Sequence, residues 1–452
     1  MSIARRVCLA LGIDSMHMLS LNRKSVEKSN VITLFAAPLR IEYAREPSSW
    51  IAVGRYRLPI EPVAVLAIVS AISTSGCSQD SAVGEFAMLT AGESHTCAIS
   101  STGQATCWGN NQFGQVGASG LIARNSKSVL SPAIVAVIPR DVVSISAGSI
   151  HTCAISTAAG THCWGYNAFG LLGDGTTANR RGVVRVIEPQ LQATSVSVGN
   201  GHACILTSNG AVYCWGRNKS GAVGDGSKDD RIVPTPVVGL SSGVVAMSAG
   251  GRISCAVTKA GNVLCWGHNY NQCIGDGTRI DRLVPTPVVG LELPVVAISA
   301  GEASVCAITS NQGVVCWGGY PRFGSGADAV DERLAPKPIP WLETGVIAVS
   351  SGNGHACAIT DCSALKCWGY NQLGQLGDGT EMDREYPTQV MGLESNVIAV
   401  SAGSGHTCAV RAPGTALCWG SNGDGRFGRG VGRLGDGTSL QRFVPTPVQV
   451  SP

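Results

Sequence analysis

From residue 86 onward, short apolar stretches alternate with glycine-rich polar breaks, seven times over and in one order. Apart from single departures, each unit reads Val/Ile-x-x-Ser-x-Gly, then Cys-Ala in an apolar run, a glycine turn and Cys-Trp-Gly. A Gly-rich loop, an arginine and a Pro-rich apolar segment such as "IVPTPVVGL" or "LVPTPVVGL" complete it. These segments are short, β-branched and bounded by Gly, Pro and Asn, which predicts strands. None sustains a helical period. Aligned on Trp-Gly, the tryptophans fall at 108, 164, 215, 266, 317, 368 and 419, a first step of 56 residues and five of 51.

Three or four short strands per unit, repeated seven times, predict an all-β fold: a seven-bladed β-propeller over 86–452. The chain finishes on "FVPTPVQV", the segment that elsewhere precedes the next Ser-x-Gly, while the first unit opens at "EFAMLTAG" without one. The expectation is therefore that the C-terminal strand completes the first blade and hides an open edge.

Composition sharpens this picture. Charged residues are 14% and net charge is +3, so nothing in the charge balance argues for a nucleic-acid partner. The 58 glycines recur in register, as tight turns of an ordered array would. Of 18 cysteines, 14 form seven pairs ten positions apart: Cys97/Cys107, Cys153/Cys163, Cys204/Cys214, Cys255/Cys265, Cys306/Cys316, Cys357/Cys367 and Cys408/Cys418. A hairpin centred on Thr102-Gly103 sets Cys97 opposite Cys107, Ala98 opposite Thr106 and Ile99 opposite Ala105. Opposed Cα atoms about 4.5 to 5.5 Å apart lie within disulfide range. Zinc would need four ligands, whereas His95, His151, His202, His355 and His406 give way to Ile253 and Ser304 in two units. Cys-x-x-Cys is absent. The pairs read as staples, and neither a metal nor another cofactor is expected.

Each tryptophan follows a cysteine by one place and so points to the other face of its blade. There it meets a small residue (Ala98, Ala154, Ala256, Ala307, Ala358 or Ala409, with Ile205 the exception), bulky against small, as interlocking blades require. The "GDG" loops place Asp174, Asp225, Asp276, Asp378 and Asp436 six residues before Arg180, Arg231, Arg282, Arg384 and Arg442; Arg124 and Arg333 hold that place without the aspartate. Without the ligand ladder of a calcium loop, an Asp–Arg pair ordering the loop is the expectation.

Residues 1–85 do not share the repeat. Residues 1–52 form a leader, and a translation start near Val53 would leave a short basic region before the signal. Within 53–77, two arginines precede an apolar run of about fourteen residues (Pro62 to Ser75), too short to span a bilayer, which reads as a secretory signal. "TSGC" resembles a lipoprotein signal with Cys77 as the acylated residue, although Thr74 stands where Leu is usual. Residues 78–85 are a linker.

The unit "SAGSGHTCAV…ALCWGSN" with "NQLGQLGDGT" resembles the repeats of the regulator of chromosome condensation family, a set of seven-bladed propellers. The resemblance covers 86–452 and is specific for fold. Members include a nuclear nucleotide-exchange factor for a small GTPase, a plant ultraviolet photoreceptor and secreted bacterial inhibitors of β-lactamase, so fold does not choose the function. The photoreceptor's "GWRHT" motif is matched here by "GESHT", "GSIHT" and "GNGHA", so that function is not carried over. Paired cysteines with an export signal point to an extracytoplasmic, bacterial branch.

The residue after Trp-Gly varies: Asn110, Tyr166, Arg217, His268, Gly319 (followed by Tyr320), Tyr370 and Ser421. The residues before the His position vary too: Glu93, Ser149, Asn200, Gly251, Glu302, Asn353 and Ser404. Tyr, Arg and His favour binding surfaces. The leading expectation is a non-catalytic, monomeric scaffold that docks an unidentified protein through Asn110, Tyr166, Arg217, His268, Tyr320 and Tyr370, touching a membrane only through a lipid anchor. Its rivals are a guanine-nucleotide exchange factor for a small GTPase, which would keep its cysteines reduced, and a hydrolase, for which no Ser/His/Asp set or close carboxylate pair stands out.

Overall fold

A computed structural model describes residues 86–118, 126–135, 138–187, 192–319, 335–423 and 432–449, with the backbone of four N-terminal strands. Those strands, β1 (Val31–Ala36), β2 (Leu39–Ala44), β3 (Trp50–Val53) and β4 (Tyr56–Pro59), form an antiparallel sheet in chain order within a separate unit, Met1–Ser81. The sequence pattern does not announce this sheet, because the leader repeats nothing against which its strands could be aligned. The apolar part of the signal-like stretch, Cys77, the linker, Tyr320, Arg124 and Arg333 lie outside the described residues.

The second unit, Ala82–Pro452, is the predicted propeller, with seven four-stranded sheets of consecutive antiparallel strands. Blade 1 is β5 (Phe86–Ala91), β6 (His95–Ser100), β7 (Ala105–Asn110) and β8 (Ser128–Ile134). Strands β9 to β28 build blades 2 to 6 over 142–185, 193–236, 244–287, 295–338 and 346–389. Blade 7 is β29 (Val397–Ala402), β30 (His406–Arg411), β31 (Thr415–Gly420) and β32 (Arg442–Pro447).

The hairpin register is the expected one: Cys97 faces Cys107, Ala98 faces Thr106 and Ile99 faces Ala105. Every blade carries its disulfide between the two middle strands. The bridges are Cys97–Cys107, Cys153–Cys163, Cys204–Cys214, Cys255–Cys265, Cys306–Cys316, Cys357–Cys367 and Cys408–Cys418. Their spacing corrects the expected 4.5 to 5.5 Å. The Cα atoms lie 4.0 Å apart for Cys97–Cys107 and Cys357–Cys367, and 4.1 Å apart for Cys153–Cys163, Cys204–Cys214, Cys255–Cys265, Cys306–Cys316 and Cys408–Cys418. The covalent link draws the paired strands slightly closer than hydrogen bonding alone would.

Cys and Trp part to opposite faces, and the core forms between blades. The Cys97–Cys107 bridge packs with Ala154 and Trp164 of the next blade, Cys153–Cys163 with Ala203 and Trp215, and Cys204–Cys214 with Ala256 and Trp266. Cys255–Cys265 packs with Ala307 and Trp317, Cys306–Cys316 with Ala358 and Trp368, and Cys357–Cys367 with Ala409 and Trp419. Cys408–Cys418 packs with Ala98 and Trp108, which returns the series to blade 1. The glycine after each tryptophan turns the chain out of the strand. Gly216 has φ +104°, and a Cβ there would lie 2.7 Å from the carbonyl of Gly201.

One expectation is overturned. The C-terminal strand β32 does not complete blade 1; it pairs with β31 in its own blade, Cys418 against Thr446 and Leu417 against Pro447. Blade 1 has its own outer strand, β8, beside β7. The Pro-rich segment lies between two hairpins in sequence and could join either; it joins the one before it. That makes it the outermost strand of each sheet, where proline, having no N–H to give, costs no ladder bond.

The ring closes instead around the central channel. The recurring Ser or Thr of each inner strand accepts a hydrogen bond from a backbone N–H of the next blade: Thr90 from Ala147, Ser146 from Val198, Ser197 from Ala249, Ser248 from Ala300, Ser299 from Ser351, Ser350 from Ala402 and Ser401 from Ala91, at 2.8–3.2 Å. The last of these joins blade 7 to blade 1. The glycine two places on lets the backbones approach: a Cβ on Gly250 would meet the Gly301 carbonyl oxygen at 2.0 Å. Ser-x-Gly is thus the ring-forming element.

Candidate docking face

In an up-and-down blade the loops between strands one and two and between strands three and four share one end of the sheet. The residue after Trp-Gly and the residues before the His position are therefore brought together. Backbone bonds tie them: Asn110 N–H donates to Ser94, Tyr166 to Ile150, Arg217 to Gly201, His268 to Arg252, Tyr370 to Gly354 and Ser421 to Gly405, at 2.7–3.0 Å. The bridged cysteines take no part in this face. Cys107, Cys163, Cys214, Cys265, Cys316, Cys367 and Cys418 are all buried, as are their partners.

Beneath the face lies a framework of buried polar groups. Tryptophan indole N–H groups donate to loop carbonyls of the preceding blade at 2.8–3.0 Å: Trp108 to Arg433, Trp164 to Gln115, Trp215 to Leu171, Trp266 to Ala222, Trp317 to Cys273 and Trp419 to Gln375. Four of these carbonyls also accept a hydroxyl, from Thr96, Thr152, Ser254 and Thr407. With its proton committed there, each hydroxyl accepts from the Nε2–H of a histidine one blade back: His406, His95, His202 and His355, at 2.7–2.8 Å. Burial pushes His95 and His151 down to about 3, His202 and His355 to about 4, and His406 well below its ordinary value, so all five are neutral. Four of them are seam donors. Among the described residues no three His, Cys, Asp or Glu side chains cluster as metal ligands would.

The Asp–Arg pairs order the loops as expected, with Arg231 Nε 2.5 Å from Asp225 and Arg384 and Arg442 2.7 Å from Asp378 and Asp436. Burial by itself would raise the Asp225 carboxyl. Hydrogen bonds from Ser227, Arg231 and Asn218 outweigh it and hold the group below its ordinary value. Sequence reasoning missed Asn218 and its counterparts Asn167, Asn269, Asn371 and Asn422, which are buried at the loop centre. Asn218 Oδ1 accepts from Val223 N–H while Nδ2 donates to Asp225. The recurrence of Asn three places after each of these tryptophans was the available signal.

What remains on the face is uneven. Ser421 is buried, and Asn110 Oδ1 accepts from Gln112 N–H and Gln115 Nε2 within its own loop. Tyr166, His268 and Tyr370 are half-buried and Arg217 is exposed. The Tyr166 ring meets Phe113 edge-on at 4.9 Å and Phe169 at 6.4 Å, and the Arg217 guanidinium carbon stands 5.2 Å over the Phe169 ring. This band crosses blades 1 to 3. Phe113 and Phe169, both five places after Trp, were also missed. Beyond Arg217 a cleft of about 280 Å³ opens, lined in part by Arg217, His268, Asn200, Gly251 and Glu302. His268 lies 6.5 Å from the exposed ring of Tyr270. Cys273, also at the cleft, is buried, and burial pushes its thiol up to about 12, a poor nucleophile.

Comparison with known proteins agrees with the architecture. Models of the regulator of chromosome condensation (RCC1) repeat match 209–257, 260–308 and 367–410, and a second model of that repeat matches 89–115, 193–222, 244–273, 346–375 and 397–426. The chain is 30% identical over 371 residues to the ultraviolet-B receptor UVR8 of Arabidopsis thaliana, covering 80% of this chain and 81% of that protein. Human WBSCR16 superposes with a TM-score of 0.66 at 24% identity, covering 73% of this chain and 88% of that one. Prp20p of Saccharomyces cerevisiae, crystallised in a study of its binding to Gsp1p and histones, gives 0.66 at 21% identity, covering 81% and 88%. These relatives are eukaryotic. Seven repeats, their stapled hairpins and this similarity agree: the chain belongs to the regulator of chromosome condensation repeat family.

Proposed function

We propose that the propeller is a non-catalytic scaffold that docks a protein partner on the face carrying Tyr166, Arg217, His268 and Tyr370. The observation behind this is the Phe113–Tyr166–Phe169–Arg217 band. Buried histidines, tryptophans and loop aspartates serve the framework, whereas this band is an accessible aromatic–cation surface of the kind that dominates protein interfaces. Relatives that bind proteins, such as Prp20p with Gsp1p and histones, make the reading reasonable without supplying the partner.

The proposal extends to location. Seven disulfides suit an oxidising compartment, so the chain is read as exported, bacterial and monomeric, with Cys77 as lipidation site. Replacing Tyr166, Arg217 and Tyr370 together with alanine is expected to abolish partner capture while the melting temperature stays within about 2 °C. Unchanged capture rejects this face. Accelerated nucleotide release from a small GTPase by the reduced protein would favour an exchange factor instead.

A further inference from the structure

The cleft between blades 3 and 4 is lined by three basic side chains, Arg217, Lys219 and Arg252, against a single carboxylate, Glu302. None of the three is a framework residue. Where Arg252 stands, other blades have Ser94, Ile150, Gly201, Ala303, Gly354 and Gly405; where Lys219 stands, they have Gln112, Ala168, Tyr270, Gln372 and Gly423. The framework arginines of these two blades differ in kind, since Arg231 and Arg282 each hold a buried aspartate, Asp225 and Asp276. The Arg217 guanidinium stands over an aromatic face, Arg252 is exposed, and Lys219 reaches Asp230 at 3.9 Å on the surface, where a pair contributes little. Concentrating three cations against one carboxylate in one concave sector has an electrostatic cost that packing does not require. It is offset when an anion enters the cleft.

We propose that this cleft seats an acidic segment of the partner protein, with Arg217 and Arg252 gripping its carboxylates. Asn200 and Asn271, which line the same cleft, supply neutral hydrogen-bonding groups beside them. Guanidinium forks match carboxylate geometry, and the neighbouring aromatic band receives the apolar part of the same partner. The inference rests on the docking reading and names the chemistry of its polar half.

The test uses the full chain and a fluorescein-labelled hexaglutamate peptide, followed by fluorescence anisotropy. Saturable binding is expected, weakened roughly tenfold in the Arg217→Ala/Arg252→Ala double variant and by raising salt from low to about 0.3 M. It should be unaffected by Arg185→Ala, an exposed arginine on the outer strand of blade 2. Arg217→Gln and Arg252→Gln singly give the same answer if the double variant melts early. Equal affinity for hexaglutamine, or full binding by the double variant, overturns the proposal. Displacement of the peptide by millimolar inorganic phosphate overturns it too, assigning a small-anion site. If Tyr166→Ala/Tyr370→Ala leaves partner capture intact while the arginine variants still lose the peptide, the aromatic docking reading fails and the acidic-segment cleft stands.

Discussion

The seam between blades 7 and 1 and the seam between blades 4 and 5 do the same mechanical job with different chemistry. At the first, Thr96 and Trp108 both donate to the Arg433 carbonyl, and His406 donates to Thr96. At the second, Trp317 still donates to a loop carbonyl, that of Cys273, but Ile253 stands in the histidine position and Val305 in the hydroxyl position, both buried in one apolar cluster. Four histidines go with a hydroxyl and isoleucine goes with valine, within one chain. An imidazole without its acceptor is left short: His151 faces the position of Ala203, and neither ring nitrogen finds a partner. Small-against-large packing is thus the common requirement; the indole bond joins it at six seams, and Trp368 Nε1 finds no partner at the seventh. The polar pair is one filling among several that the seams carry, neutral if complete and costly if halved.

The largest effect asks whether blades or seams hold the fold. Each staple closes a short loop and contributes about 3 kcal/mol in the chain-entropy model. Reduction under mild denaturant, followed by thiol blocking, is expected to lower the unfolding midpoint severely, with every blade affected alike. Retention of the native midpoint with all seven bridges reduced and blocked would show that the seams suffice.

Acid separates the two kinds of seam. Burial holds His95 and His151 at about 3 and His202 and His355 at about 4, and it keeps His406 well below its ordinary value, against about 6.5 in an unfolded chain. Below pH 6.5 the unfolded chain binds protons that the folded one refuses, so stability falls with falling pH until the first four of these imidazoles titrate near pH 3 to 4. Each contributes a slope of about 1.4 kcal/mol per pH unit in that window. Denaturant melts at pH 7, 5.5 and 4.5 should show the decline; a flat profile would mean that the imidazoles reach solvent.

Truncating the common element comes next. Trp108→Ala and Trp317→Ala each remove a fully or nearly fully buried indole, and each is expected to cost about 3 to 5 kcal/mol. The closing seam should differ in consequence, because no peptide bond joins blade 7 to blade 1. Trp108→Ala should raise the radius of gyration in small-angle scattering before global unfolding, and Trp317→Ala should not.

The contrast between seams also explains what could be read from residues alone. The hairpin was legible because two cysteines ten apart around a glycine turn permit one register, and the tryptophan's face followed from alternation. Ser-x-Gly was visible as a recurrence, but its partner lies about one repeat away in sequence, so its ring-forming role needed the closed geometry. The same gap misled the placement of β32: a strand flanked by two hairpins carries no local mark of which one it joins. On the face, Tyr166, Arg217, His268 and Tyr370 were singled out by asking what varies. Phe113 and Phe169 were missed because an aromatic in a glycine-rich loop looks like filler until its ring is seen against another.

The smallest effect is the sharpest test of interchangeability. Converting the closing seam to the other chemistry, His406→Ile with Thr96→Val, replaces a hydrogen-bonded pair by the residues that nature places at the blade 4–5 seam. Both sites are buried, and removing both partners together leaves neither stranded, so the double variant should lie within about 1.5 kcal/mol of the parent at pH 7. The Arg433 carbonyl keeps its bond from Trp108. His406→Ile alone should be harmless by comparison with Thr96→Val alone, which strands the imidazole and should cost about 1 to 3 kcal/mol. In acid the order reverses: with one buried histidine gone, the double variant should lose stability more slowly than the parent below pH 6.5. Were it instead to unfold at pH 7, the polar pair at the closing seam would be a requirement of closure, and the two seams would not be equivalent.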